Sequence, residues 1–189
     1  MYFHFGTKKV VEAAGVLLQC VATHRMKYFR LVKLLYIADR DSLAETGWPI
    51  AGAEPVAMDN GPVDSKTLDL VKGTGQRSRE DRRKWSSYIR TEDMDVVLVR
   101  DPGTKSLSPY EVRKLEDVCR RYERSDRYGV RDVTHDFEEW QKNHIQGTSR
   151  PIPLEDILRA VGRADDVDEI VAMAEEMNAL DGLLGVNSE

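Results

Sequence analysis

The segment at residues 28–46 reads YFRLVKLLYIADRDSLAET, with apolar side chains on nearly every side of its middle part. A helix that is apolar all round belongs at the centre of a core rather than at its surface. Gly47 suits the end of such a helix, and Pro49 favours an extended exit because proline cannot continue a helix. We therefore predict a central helix over residues 28–46, against which the other elements pack.

Amphipathic helices are predicted on both sides of this central helix. Apolar residues recur at three- and four-residue steps between Val10 and Val21, which predicts a helix from Thr7 to about His24 with one buried stripe. The sequence Ser108-Pro109-Tyr110-Glu111 is the clearest helix start, because it combines an N-cap serine, a proline at the first helical position and a glutamate at the third. Further helices are predicted over residues 65–72, 130–141, 154–161 and 166–180.

Short β-branched and alternating runs predict a small β element. Residues 55–58 suit a short strand before the turn Asn60-Gly61-Pro62. Residues 85–89 alternate and residues 96–99 are β-branched, so we predict that they pair as an antiparallel hairpin. Residues 73–84 are polar and basic without periodicity, which predicts a mobile loop. The predicted fold class is mostly α with a small antiparallel β element (α+β), a compact helical domain followed by a C-terminal helical extension.

Charge and composition change along the chain. Residues 146–153 read QGTSRPIP, where glycine and two prolines interrupt any regular element, and they predict a domain at residues 1–148 and an extension at 149–189. All 28 basic residues but only 25 of the 33 acidic residues lie in residues 1–163, so that part carries a charge of +3 within a chain of net charge −5. Residues 72–90 form a basic strip, and the extension is acidic after residue 163.

Hydropathy excludes a membrane-spanning helix, and the two cysteines indicate a reducing environment. The longest stretch without a polar residue runs only from Ala13 to Leu18, and the mean hydropathy is −0.51, so we predict a soluble protein with no membrane partner. Cys20 and Cys119 both occupy apolar positions of helical patterns, which is typical of reduced core residues in a cytoplasmic protein. A single bridge between these two cysteines stays an alternative.

The sequence contains no catalytic signature. A phosphate loop, a nucleophile elbow, a two-histidine zinc helix and paired Cys-x-x-Cys motifs are all absent. We therefore predict that the protein is not an enzyme and uses no metal or other cofactor. A metal-dependent hydrolase is the alternative, because His135 is followed on a predicted helix by Asp136, Glu138 and Glu139, and residues four apart could share an ion. A third ligand at a motif spacing is lacking.

The basic strip at residues 72–90 suggests two kinds of partner. Its cations could neutralise phosphates, and Trp85 and Tyr88 could stack on bases, as in single-strand binding proteins. The chain as a whole is acidic, however, and no helix-turn-helix can be assigned. These observations favour an acidic protein partner over nucleic acid. Trp48, Trp85 and Trp140 are each either core residues or interface anchors, because tryptophan suits both positions.

Five short motifs point to a family. The first three are Lys33-Leu34-Leu35-Tyr36-Ile37-Ala38-Asp39, Gly47-Trp48-Pro49-Ile50 and Gly61-Pro62-Val63, and the last two are Ser108-Pro109 and Thr134-His135 with Trp140. In this order and spacing they resemble the Panacea domain, the SocA-like antitoxin family of bacteria and phages, over about residues 26–145. The resemblance implies a mostly helical domain with a small β element, whose members commonly neutralise a neighbouring toxin by binding it directly, without catalysis.

We therefore predict a cytoplasmic antitoxin that binds a cognate toxin encoded by a neighbouring gene. The predicted contact residues come from turns and loops and are not transferred from the family. They are Trp48, Asp59, Asn60, Arg82, Arg83, Trp85 and Tyr88. The main alternative is a proteolytic adaptor that delivers a toxin to an ATP-dependent protease, a role associated with the SocA branch. A metal-dependent hydrolase and a DNA-binding autoregulator are further alternatives.

Overall fold

A computed structural model describes residue 3 and residues 6–52, 54–75 and 78–183, and most of this part is helical. The helices are α1 (Thr7–Gln19), α2 (Tyr28–Thr46), α3 (Ser65–Lys72), α4 (Arg79–Ser86), α5 (Pro109–Arg121), α6 (Arg127–His135), α7 (Glu138–Asn143), α8 (Leu154–Ala160) and α9 (Val167–Leu183), with a 3-10 turn at Ala164–Asp166. The strands are β1 (Arg25–Lys27), β2 (Pro55–Met58), β3 (Gly61–Asp64), β4 (Ile89–Glu92), β5 (Asp95–Leu98) and β6 (Arg150–Pro151). The predicted class, mostly α with a small antiparallel β element, is confirmed. Within the described ranges, no helix has the length and apolar character needed to cross a membrane.

Helix α2 is the central element, as its composition predicts. Every residue from Leu31 to Ala38 is buried, and helices α1, α5 and α6 pack around it. Gly47 ends the helix in the left-handed conformation, with φ of 78°. The half-buried Asp39 carboxylate then accepts hydrogen bonds from the backbone N–H groups of Ile50 (2.8 Å) and Ala51 (2.7 Å). This contact fixes the extended segment after α2 to the helix itself.

The strands form two small antiparallel sheets on different parts of this helical core. One sheet has the order β1-β5-β4, and in it β4 and β5 form an antiparallel hairpin, with Ile89 opposite Leu98 and Glu92 opposite Asp95. The other has the order β3-β2-β6 and brings residues 150–151 beside residues 55–58. The turn between β2 and β3 contains Gly61 at its end, with φ of 87°.

The loop predicted at residues 73–84 is wrong over residues 79–84, which belong to helix α4. The Ser78 side chain accepts a hydrogen bond from the Asp81 N–H (2.9 Å) and caps this helix, whose first turn is acidic. The predicted strand at residues 85–89 is also wrong except at its end, since Trp85 lies in α4 and β4 begins at Ile89. A short helix with one buried residue has no apolar periodicity for a sequence pattern to detect.

Three further predictions are corrected at the boundaries of elements. Helix α1 ends at Gln19 rather than at His24, because the backbone turns through residues 20–24 into β1. The single helix predicted over residues 130–141 is two helices, α6 and α7, separated at Asp136 and the extended Phe137. Cys119 is buried as predicted, but Cys20 is exposed, and both are free thiols.

The C-terminal segment packs on the central part of the fold. Strand β6, inside the predicted linker, pairs with β2, and the Ile152 N–H donates to the Pro55 carbonyl (2.9 Å). A second hydrophobic cluster joins α8 and α9 to Leu43 of α2 and Ala57 of β2. The boundary predicted after residue 148 stays a prediction, but the segments on its two sides share a sheet and a hydrophobic cluster.

Candidate partner-binding surface

The predicted contact residues belong to different parts of the fold rather than to one patch. Trp48 is half-buried, with its ring centroid 5.0 Å from that of Phe3. Arg82 and Arg83 are exposed on α4, and the Arg82 guanidinium donates to the Gly75 carbonyl (3.0 Å). Asp59 and Asn60, in the turn between β2 and β3, lie together at one cleft of the surface.

Trp85 and Tyr88 differ in what they offer a partner. The Trp85 side chain is 4% exposed and belongs to the main hydrophobic core, which is the first of the two positions predicted for it. Tyr88 is half-buried, and the Arg100 guanidinium lies 4.3 Å from the centre of its ring. Tyr88, Arg100 and Arg83 border a shallow groove beside α4.

A cleft of about 540 Å³ lies between the start of α2, the end of α3, helix α6 and the turn between β2 and β3. We call it the cationic cleft, after the three basic residues in its wall. Its wall combines basic, aromatic, apolar and acidic or amide side chains, namely Lys72, Arg127, Arg131, Tyr28, Phe29, Tyr128, Met94, Asp59 and Asn60. Two of them, Asp59 and Asn60, were predicted as contact residues, and both are exposed.

The three cations of the cleft are held against aromatic rings. The Lys72 ammonium lies 5.7 Å from the centre of the Tyr28 ring. The guanidinium carbons of Arg127 and Arg131 lie 4.6 Å and 5.4 Å from the centre of the Tyr128 ring. Such cation–π contacts orient a cation without neutralising its charge. The cleft therefore presents positive charge on side chains that already have a preferred position.

Only one of these cations has a carboxylate partner among the described residues. Arg131 donates to Asp132 through both Nε (2.8 Å) and Nη2 (2.6 Å). For Lys72 and Arg127, no carboxylate oxygen of a described residue lies within 4.0 Å. The one acidic side chain in the cleft wall is Asp59, which leaves the wall with more positive than negative charge.

Asp59 connects the turn between β2 and β3 to the segment after α7. Its Oδ1 lies 2.9 Å from His144 Nε2 and accepts a hydrogen bond from the Gly147 N–H (2.9 Å). The hydrogen bond with His144 is the main reason that the pKa of Asp59 lies below its usual value. The Asp59 carboxylate is thus already occupied, and it holds two sides of the cleft together.

A buried lysine lies behind this turn. Lys33 is fully buried, donates to the Pro62 carbonyl (2.6 Å) and lies 5.3 Å from the centre of the Phe29 ring. Burial, reinforced by the positive charge of Arg131, lowers its pKa to about 6. A Cβ on Gly61 would lie 2.8 Å from Lys33 Nζ and 2.6 Å from Thr134 Oγ1, and the φ of Gly61 is 87°. Both observations favour glycine at this position. Of these motif residues, Gly61 lines the cleft and Lys33 lies buried behind it.

The last family motif forms a stack of rings beside the same turn. The His135 and Trp140 rings are parallel with centroids 4.3 Å apart, and Trp140 also stacks on His144 at 4.5 Å. The Trp140 Nε1–H donates to the Met58 carbonyl (2.9 Å). Burial and the charges of Lys33 and Arg131 lower the pKa of His135. These contacts give the motif a positioning role at the end of β2.

The residues considered for a metal ion, His135, Asp136, Glu138 and Glu139, do not form a common site. The buried Glu139 carboxylate accepts hydrogen bonds from Tyr36 Oη (3.0 Å) and Arg40 Nε (2.8 Å). Asp136 and Glu138 are exposed. Within the described part of the chain, no three His, Cys, Asp or Glu side chains are grouped so that they could hold a metal ion.

Sequence reasoning missed most of the cationic cleft. Lys72 was included in the basic strip, but Tyr28, Arg127, Tyr128 and Arg131 were not singled out. One signal was available, because Arg127 and Arg131 are four residues apart and so share one face of a helix. The approach of α6 to the start of α2 has no such local signal.

The structure is thus a small α+β fold with a cationic cleft in its surface. The chain belongs to the family described as "Antitoxin SocA-like, Panacea domain", whose family model matches residues 31–141. The family resemblance of the sequence motifs is therefore confirmed, and membership supports an antitoxin role with a toxin as the general kind of partner. No curated protein and no solved structure matches the chain. The matched range includes the β2–β3 turn and the cleft residues of α3 and α6.

Proposed function

We propose that this protein is an antitoxin that neutralises a cognate toxin by binding it directly, without catalysis. Membership of the SocA-like Panacea family over residues 31–141 is the observation that carries this proposal. An encounter with a bacterial or phage-encoded toxin would take place in the cytoplasm. The function then requires an exposed surface on which a partner protein can dock.

The cationic cleft supports the proposal because its composition is typical of protein interfaces. Arginine, tyrosine and methionine are enriched where protein partners bind, and the cleft contains all three. Two of its side chains are large, apolar and exposed, namely Met94 at 42% and Tyr128 at 49%. A partner that covers such apolar surface removes it from water, which lowers the free energy of the complex.

Co-expression with the product of the neighbouring gene tests this function. We expect that gene to arrest growth when expressed alone, and this protein to restore growth and to elute with the toxin in size-exclusion chromatography. A neighbouring product that is harmless alone, or that stays lethal beside this protein, would contradict the proposal.

The lifetime of the toxin separates direct occlusion from the alternative of a proteolytic adaptor. Occlusion leaves the toxin half-life unchanged or longer when both proteins are expressed, whereas an adaptor for an ATP-dependent protease shortens it. A pulse-chase measurement with and without this protein gives the answer. A shortened half-life would replace occlusion by delivery to a protease.

A further inference from the structure

We propose that the cationic cleft receives an acidic segment of the toxin, with Asp or Glu carboxylates placed against Lys72, Arg127 and Arg131. This inference rests on the proposed function, and it adds where the partner binds and which chemistry the cleft recognises. The argument begins with charge, because the cleft is positive within a chain of net charge −5.

Two of the three cations of the cleft are available to a partner, whereas Arg131 already donates to Asp132. Lys72 and Arg127 have no carboxylate within 4.0 Å among the described residues. The nearby Asp59 carboxylate already accepts from Gly147 and pairs with His144. An incoming carboxylate therefore competes with water for these two cations rather than with an internal ion pair.

The cations are also arranged in advance. Tyr128 lies beside both arginines, and its Oη accepts a hydrogen bond from Arg127 Nη2 (2.5 Å). A guanidinium fixed in this way loses less side-chain entropy when it binds, and its planar fork of donors matches a carboxylate. Electrostatic complementarity of this kind sets specificity and the association rate more than it sets affinity.

The surroundings favour a protein segment over nucleic acid. The exposed Met94 and Tyr128 border the cations and would be covered by an apolar side chain next to the acidic residues. A nucleic acid is bound by a row of cations that follows its phosphates. Here Arg79, Arg82 and Arg83 of the basic strip lie on α4, outside the cleft wall, and Arg83 faces the groove beside Tyr88. The structure thus offers a local cationic cleft rather than a continuous track.

A charge-reversal variant tests the inference. In Arg127→Glu/Arg131→Glu the first substitution lies in the first turn of α6, where an acidic residue suits the helix dipole. The matched control Arg113→Glu/Arg124→Glu makes the same change of charge at two exposed arginines outside the cleft wall. We expect toxin affinity to fall at least 100-fold in the cleft variant and less than threefold in the control.

Growth rescue and binding to a charge-reversed toxin complete the test, and all binding is measured in 150 mM salt. Growth rescue by the wild type and the control, but not by the cleft variant, supports the inference, as does a toxin Asp→Lys or Glu→Lys variant that restores binding to the cleft variant. Equal affinity and equal rescue by all three proteins would overturn the inference and leave the antitoxin function standing. Failure of the wild type to bind or rescue would instead overturn the proposed function.

Two controls cover folding and the nucleic-acid outcome. Circular dichroism checks each variant, and Lys72→Gln/Arg127→Gln replaces the charge-reversal pair if that pair does not fold. A fluorescein-labelled 20-nucleotide single strand serves as the competing probe. Binding of this strand by the wild type at micromolar concentration, with loss in the cleft variant, would make the cleft a nucleic-acid site and overturn the inference.

Discussion

At the scale of single residues, the family motifs hold the turns that shape the cleft. Lys33 is buried against Pro62, Gly61 leaves room for it, and Asp39 fixes the segment after α2 through Ile50 and Ala51. Sequence reasoning could identify these motifs but not their partners, because Lys33 and Pro62 are far apart in the chain. The motifs therefore explain the shape of the surface, whereas Arg127 and Arg131 supply its charge.

Lys33 should make stability depend on pH. Its pKa falls from 10.5 to about 6 on folding, so between these values the unfolded chain binds a proton that the folded chain does not. The free energy of unfolding therefore rises with pH, by up to about 1.4 kcal/mol per unit for this group. We expect Lys33→Met to remove that slope, as measured by urea unfolding at pH 7.5 and 9.5. An equal slope in both proteins would show that Lys33 is charged in the folded state.

The ion pair between Glu139 and Arg40 gives a second prediction at this scale. Glu139 is 1% exposed, and its Oε1 also accepts from Tyr36 Oη. Glu139→Ala leaves Arg40 and the Tyr36 hydroxyl without this acceptor, so we expect a loss of about 3 kcal/mol in the free energy of unfolding. Tyr36→Phe, which removes one hydrogen bond, should cost about 1 kcal/mol in the same urea titration. A smaller loss for Glu139→Ala than for Tyr36→Phe would contradict this account.

At the scale of elements, periodic helices were predictable and short capped ones were not. Helices α2 and α5 carry long apolar patterns and clear ends, and both agree with the sequence. Helix α4 has one apolar residue, Trp85, whose burial in the core is a tertiary contact that no local pattern contains. The polar and basic composition of residues 73–84 instead predicted a loop.

The packing of α1 predicts the effect of one added methyl group. A Cβ on Gly15 would lie 2.5 Å from Cγ of Pro102, and a proline ring cannot move aside as a flexible side chain can. We expect Gly15→Ala to lower the free energy of unfolding by about 1–3 kcal/mol. Gly129→Ala in α6 is the matched control, because its Cβ would meet the nearest atom only at 3.4 Å and alanine favours a helix. Thermal unfolding measures both, and an unchanged midpoint for Gly15→Ala would contradict the close contact.

At the scale of the whole molecule, the C-terminal segment is integrated with the central helix. The second hydrophobic cluster joins α8 and α9 to Leu43 and Ala57, and the Arg163 guanidinium donates to the Ala44 carbonyl (3.3 Å). The sequence indicated a linker at residues 146–153 because glycine and proline are frequent there. It could not show that two of those residues, Arg150 and Pro151, pair with β2, since strand pairing over this separation has no local signature.

Cooperative unfolding of the two hydrophobic clusters is the corresponding prediction. Leu158 is fully buried in the second cluster, so Leu158→Ala should cost about 2–5 kcal/mol. If both clusters unfold together, the urea midpoints measured by far-ultraviolet circular dichroism and by tryptophan fluorescence shift equally. Two separated transitions would show that the C-terminal segment unfolds by itself.

The two-residue strand β6 also has a consequence for self-association. Strand β2 lies between β3 and β6, so both of its hydrogen-bonding edges are occupied. A chain cut after residue 148 would leave one edge of β2 open, and an open edge is a template for pairing with another molecule. Arg150 and Pro151 thus cover an edge of β2 that could otherwise pair with another molecule. We expect light scattering of such a shortened chain to report particles that grow with protein concentration.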